Sequence, residues 1–304
     1  MFGAVRQFTL FCVLIVLTYS FLHLAHAQSN TQNDSVATVE KEADDSQLTP
    51  EDTTNVETNN AYELAIYQDI KHQLHADEYK EFTYQNKPHA YLDLPSNLAV
   101  RRGTILLIPD TFGGTLNTHY MIDIAAHLRE NGWQVVLAFL PQSAFGRDQE
   151  ISSTDFTSGN SFTEEHAKAC ATASVSYLTA ILDDLSDKSN RTILTAHGLS
   201  AYCLLKGNPS NFSSLILLSP HVPNRVLNKQ IPELVATSPL PILDLISQWD
   251  SIWAMDTQAE RKIMATRQIK THYRQRAIVG ISLTSLQSNY LSKEIYGWLS
   301  YLGY

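Results

Sequence analysis

The chain is predicted to fold as an α/β domain, a mostly parallel sheet with helices on both faces. Three observations carry this expectation. Short runs at 105–108, 135–140, 214–218 and 242–246 are apolar almost without a break, as strands buried on both faces must be. Stretches of helical period separate them. No internal repeat and no second change of composition interrupts the alternation, so residues 61–304 read as one domain.

Ahead of that domain, residues 1–27 have the form of a secretory signal peptide. Arg6 precedes an apolar run, and Ala25-His26-Ala27 supplies an A-x-A cleavage site. Cleavage is expected after Ala27, which implies a periplasmic or secreted protein. The apolar run is shorter than the about 20 residues a membrane span requires, and no later stretch is longer, so no span is expected after cleavage. Residues 28–60 hold eight acids (Asp34, Glu40, Glu42, Asp44, Asp45, Glu51, Asp52, Glu57) against Lys41, with no aromatic residue and no apolar period. They read as a disordered acidic leader. The formal charge of −9 therefore falls mostly on the leader, and the mildly acidic domain has no electrostatic reason to bind nucleic acid. An apolar content of 44% is enough for a sizeable core. Cys12 leaves with the signal. Cys170 and Cys203 remain, an even pair on predicted helices that could be neighbours on one sheet face; two inert buried thiols are the expected reading and a disulfide is the alternative.

Within the domain, Leu64, Tyr67, Ile70 and Leu74 form a helical stripe. Residues 79–84 and 89–94 alternate around Asn86-Lys87-Pro88 as a β-hairpin. The strand at 105–108 is followed by a helix over 116–131, which Gly132-Trp133 ends, and by the strand at 135–140. Residues 142–162 are polar and rich in Gly and Ser; a loop of that length is functional or disordered. A helix at 164–185 follows. The later elements are strands at 214–218, 242–246 and 276–279, with helices at 257–270 and 290–302.

Between them lies 191–205, RTILTAHGLSAYCLL: a β-rich run, small residues, then a helical period. Strand, sharp turn and helix is the context of the G-x-S-x-G turn that lifts a nucleophile above a sheet. With Ala196 and Ser200 as the flanking small residues, the nucleophile position is Gly198, which has no side chain.

Over roughly residues 80–304 the order of elements resembles the α/β-hydrolase fold. Asp110-Thr111-Phe112-Gly113-Gly114 resembles the loop after the third strand that contributes an oxyanion-hole amide. Ala196-His197-Gly198-Leu199-Ser200 resembles the elbow, and Pro241-Ile-Leu-Asp-Leu-Ile-Ser-Gln-Trp-Asp250 resembles the strand that ends in the triad acid. A narrower resemblance rests on Gly132-Trp133, Leu140-Pro141, His197-Gly198, Pro241-Ile-Leu-Asp244, Tyr273-Arg274-Gln275 and Gly297-Trp298-Leu299 in one order. Together they are similar to the bacterial family called domain of unknown function 3530. That resemblance implies an exported hydrolase-like fold and assigns no activity.

Acyl transfer needs a nucleophile, a base, an orienting acid and oxyanion donors. Asp250 fits the acid position, but Gly198 stands for the nucleophile, and no histidine follows the strand at 276–279. A shift of two residues makes Ser200 the nucleophile, with Asp250 and with His221 approaching from the same sheet edge. Asp110, His197, His221 and Asp250 are all expected near the C-terminal edge of the sheet. Backbone amides of Phe112 and Leu199 are expected to form an anion nest there, with Trp249 and Trp253 lining it. No metal-ligand spacing occurs, so no metal and no cofactor are expected. The expectation is a pseudoenzyme that binds a small ligand or an envelope protein, or acts as a scaffold. Its rival is an active serine esterase or thioesterase using Ser200.

Overall fold

The structure is a computed structural model that describes residues 78–110, 119–141, 162–185, 191–280 and 285–304. In chain order its strands are β1 (Tyr79–Tyr84), β2 (Lys87–Leu94), β3 (Gly103–Ile108), β4 (Trp133–Leu137), β5 (Thr192–His197), β6 (Ser214–Leu218), β7 (Ile242–Ser247) and β8 (Tyr273–Ile278). The helices are α1 (His119–Glu130), α2 (Glu164–Asp184), α3 (Gly198–Gly207), α4 (Arg225–Asn228), α5 (Ile231–Thr237), α6 (Ile252–Asp256), α7 (Gln258–Arg267) and α8 (Ser288–Tyr301). The expected signal peptide, acidic leader and first helical stripe, together with Phe112 and all of 142–162 except Phe162, lie outside the described residues.

The strands form one sheet in the order β1-β2-β4-β3-β5-β6-β7-β8. The β1/β2 and β2/β4 pairs are antiparallel and every other pair is parallel. Alternate side chains of each central strand serve opposite faces. Ile105, Leu107, Ile193, Ile216, Leu218, Leu243 and Leu245 meet α1 and α8. Leu106, Ile108, Leu194, Ala196, Leu215 and Leu217 meet α2, α3 and α5. This explains why the central strands read as continuous apolar runs: neither side faces water.

Several boundaries differ from expectation for identifiable reasons. The hairpin turns on Gln85 and Asn86, both at positive φ (51° and 60°), as a two-residue turn between right-twisted strands requires. Lys87 and Pro88 therefore belong to β2 rather than to the turn. β4 covers Trp133–Leu137, because Ala138 and Leu140 are buried loop residues, not strand. Its start is fixed by Trp133 lying opposite Gly103, where a β-carbon would come within 2.7 Å of the indole. The short helices α4, α5 and α6 have too few turns to show a period; Asn224 and Ser251 cap the first and third through their side chains. Cys170 and Cys203 are not two free thiols. They form a disulfide with the α-carbons 5.6 Å apart, tying α2 to α3. Helices adjacent on one sheet face brought the thiols together, which spacing along the chain could not show.

β8 begins at Tyr273, three residues before the apolar run, and the reason is electrostatic. Asp244 on β7 is fully buried. Its carboxylate accepts from Arg261 Nε at 2.8 Å and Nη2 at 3.3 Å, from the Tyr273 hydroxyl at 2.8 Å and from Gln275 Nε2 at 2.8 Å. Arg261, also fully buried, donates further to the Ala254 carbonyl at 3.2 Å and to Thr257 Oγ1 at 2.7 Å. The motifs Pro241-Ile-Leu-Asp244 and Tyr273-Arg274-Gln275 thus converge on one carboxylate that fastens α6 and α7 to the sheet. Burial and Asp244 push the Tyr273 phenol up, so it stays a neutral donor. Removing one partner of such a pair strands a charge in the core. Arg261→Met is expected to cost about 3–5 kcal/mol, read as a lowered urea midpoint; a loss below about 1 kcal/mol, the value typical of exposed pairs, would contradict this account.

Candidate functional site

In a parallel sheet the loops after the strands gather at one edge. Here those loops bring Asp110 (after β3), Gly198 (after β5), Ser219 and His221 (after β6) and Asp250 (after β7) to the C-terminal side. The β5–α3 turn is the centre of the group. Gly198 has φ +58°, a left-handed backbone that side chains rarely adopt, at the first residue of α3. That is the strained turn expected of an elbow, and it falls on Gly198 rather than on Ser200.

The space a nucleophile's side chain would enter is filled. A β-carbon built on Gly198 would lie 2.2 Å from Asp110 Oδ2, 2.4 Å from its Cγ and 2.8 Å from its Oδ1. The backbone N–H of Leu199, the donor expected to serve an oxyanion, instead donates to Asp110 Oδ1 at 3.2 Å. A carboxylate is well placed there, because the unpaired amides and the dipole at a helix N-terminus favour negative charge.

Ser200 lies one residue further along α3 and is fully buried. Its hydroxyl donates to the Pro109 carbonyl at 2.8 Å, fastening α3 to the end of β3. His197 is partly buried, and its Nδ1 shares a 2.8 Å hydrogen bond with the buried Tyr120 hydroxyl. Burial holds the imidazole below its ordinary range; His221 adds to that effect, while Asp110 and Asp250 oppose it. Burial, then Asp110 and Asp250, hold the Tyr120 phenol well above its usual value.

His221 is drawn to the elbow by its backbone N–H, which donates to the Gly198 carbonyl at 3.3 Å. Its Nδ1 donates to the Ser219 carbonyl at 2.9 Å. Asp250 accepts from Ser247 N–H at 3.2 Å, from Ser251 N–H at 2.7 Å and from the Ser219 hydroxyl. It thereby joins its own turn to the β6 turn, where Ser219 sits buried at φ +48°. Trp249 is 69% exposed and stands at the rim rather than lining the group, and the Trp253 carbonyl accepts from Asn228 at 2.8 Å. Phe112 lies outside the described residues. Sequence reasoning missed Tyr120 and Ser219. A Ser-Pro pair ending a strand was a weak signal for the second, and nothing local marked the first.

Among the described residues the arrangement gathers imidazole and carboxylate groups but offers no hydroxyl at the position of attack. Among those residues no group of three or more His, Cys, Asp or Glu is arranged to hold a metal ion, and no helix is long and apolar enough to cross a membrane. The lowered imidazole also fixes the sign of one pH effect. An unfolded histidine titrates near about 6.5, so between the folded value and that pH the unfolded state binds more protons and stability falls as pH falls. Wild type is expected to lose melting temperature from about pH 6.5 downward more steeply than His197→Gln; equal slopes would contradict burial as the cause.

Comparison with known proteins agrees with this geometry at the level of fold. A structure described as a predicted CIB-like hydrolase from Thermoplasma acidophilum is 10% identical with a TM-score of 0.51, covering 73% of this chain and 96% of its own. Est1E from Butyrivibrio proteoclasticus is 12% identical with a TM-score of 0.51, covering 73% and 97%. An α/β serine hydrolase homologue from Coxiella burnetii is 14% identical with a TM-score of 0.50, covering 71% and 94%. At these identities the likeness establishes the α/β-hydrolase fold and nothing finer. No curated protein matches the chain. The family model described as protein of unknown function (DUF3530) matches residues 8–301, nearly the whole chain, and the chain belongs to that family.

Proposed function

We propose that this chain is an exported α/β-hydrolase-fold protein that has lost serine-hydrolase chemistry and acts by binding, its small ligand or envelope partner meeting the crevice above the strand ends. The observation that carries the reading is the exchange at the elbow. Glycine stands where the nucleophile belongs, and the Asp110 carboxylate occupies the volume and the amide a reacting acyl group would need. Acyl transfer depends on donors aimed at a developing oxyanion; a donor already bound to a carboxylate gives no such stabilisation.

Export to the periplasm or beyond is supported by the signal-like residues 1–27 and by the Cys170–Cys203 disulfide, since disulfides persist in oxidising compartments. The rival, an esterase or thioesterase working through Ser200, has the buried hydroxyl and its bond to Pro109 against it. A fluorophosphonate probe separates the two. The folded protein is expected to remain unlabelled over hours, whereas labelling that Ser200→Ala abolishes would overturn this reading.

A further inference from the structure

The elbow does more than lack a nucleophile. Asp110 reaches it from the end of β3, 89 residues from Leu199 in sequence, and its Oδ1 takes the N–H of Leu199, the second residue of α3, a ten-residue helix. Both carboxylate oxygens and the carbon between them crowd the β-carbon direction of Gly198. The elbow therefore already contains an anion, and that anion is covalently part of the chain.

We propose that Asp110 sets what this crevice can bind: its carboxylate is a built-in occupant of the anion position at the α3 N-terminus. Acyl, carboxylate and phosphoryl groups are excluded from the elbow, and a ligand reaching it must bring N–H or O–H donors. The physical reasons are two. A second anion within about 4 Å of a carboxylate is repelled, increasingly so as water is excluded. A carboxylate is also acceptor-only, so it complements donors such as ammonium, guanidinium, amide or hydroxyl groups. Burial holds the nearby His197 imidazole toward its uncharged form, so it does not offset the carboxylate with a fixed positive charge. Asp250 adds a second negative charge within reach of His197 and Tyr120, and Tyr120 stays neutral. The inference rests on the binding reading above and names the ligand chemistry of that same site.

Exogenous carboxylate tests it. Sodium acetate, against sodium chloride at equal ionic strength, is titrated into wild type and into Asp110→Ala, following the melting temperature and the Leu199 amide in ¹⁵N-labelled protein. Wild type is expected to show no acetate-specific change. Asp110→Ala is expected to melt lower and to gain about 3 °C or more once acetate is tenfold above its dissociation constant, with the Leu199 amide shifting as it binds. An equal acetate-specific rise in wild type, or none in a folded Asp110→Ala, would overturn the proposal. Should that variant not fold, wild type alone decides. Its Leu199 amide, already bonded to Asp110, is expected to keep its chemical shift as acetate is added, and an acetate-specific movement of that resonance would overturn the proposal. A fluorophosphonate adduct would instead remove the binding reading itself, so the two failures are told apart.

Discussion

Two parts of the chain compete for one small volume at the end of β5, and the rest of the site follows from which of them has it. A side chain on residue 198 and the carboxylate of Asp110 cannot both hold these positions: the first β-carbon would overlap the second's oxygens, so the carboxylate would have to shift. With glycine at the turn, the carboxylate enters and binds the Leu199 amide, one of the donors at the α3 N-terminus. Ser200 then serves as a fastener to Pro109, and Asp250 serves as a clamp between the β6 and β7 turns. Among the described residues, the Leu199 amide, the Ser200 hydroxyl and the Asp250 carboxylate are each bonded to the protein's own backbone or side chains.

The residues that mark the family fall largely outside that volume. Asp244, Tyr273 and Gln275 build a buried network with Arg261, and Trp298 donates to Ser214 at 3.0 Å across the opposite core. Arg274 lies over the rings of Trp298 and Tyr301. These are contacts that hold the last strand and last helix onto the sheet. A fold kept by such contacts does not depend on which residue stands at the elbow.

How much of this was legible in the sequence depended on how local the cause was. β6 was readable residue for residue, because burial on both faces leaves an uninterrupted apolar run. β8 was read three residues late because Tyr273 and Gln275 are polar for a tertiary reason, the carboxylate on the neighbouring strand. Gly198 was identifiable as the elbow from its small neighbours alone. The partner that makes its lack of a side chain consequential was not, since Asp110 is brought there by the parallel pairing of β3 with β5. The disulfide stayed one of two alternatives for the same reason: α2 and α3 become neighbours only when the sheet forms.

A double-mutant cycle measures directly how far Asp110 and a side chain at 198 exclude one another. Gly198→Ala is introduced into wild type and into Asp110→Ala, and urea unfolding gives the cost in each background. In wild type the substitution is expected to cost well beyond the about 1–2 kcal/mol of a left-handed backbone. Without the carboxylate only that backbone cost should remain, giving a coupling of at least about 1 kcal/mol. Equal costs in the two backgrounds would mean that the place of the nucleophile stands empty, and the account would be wrong.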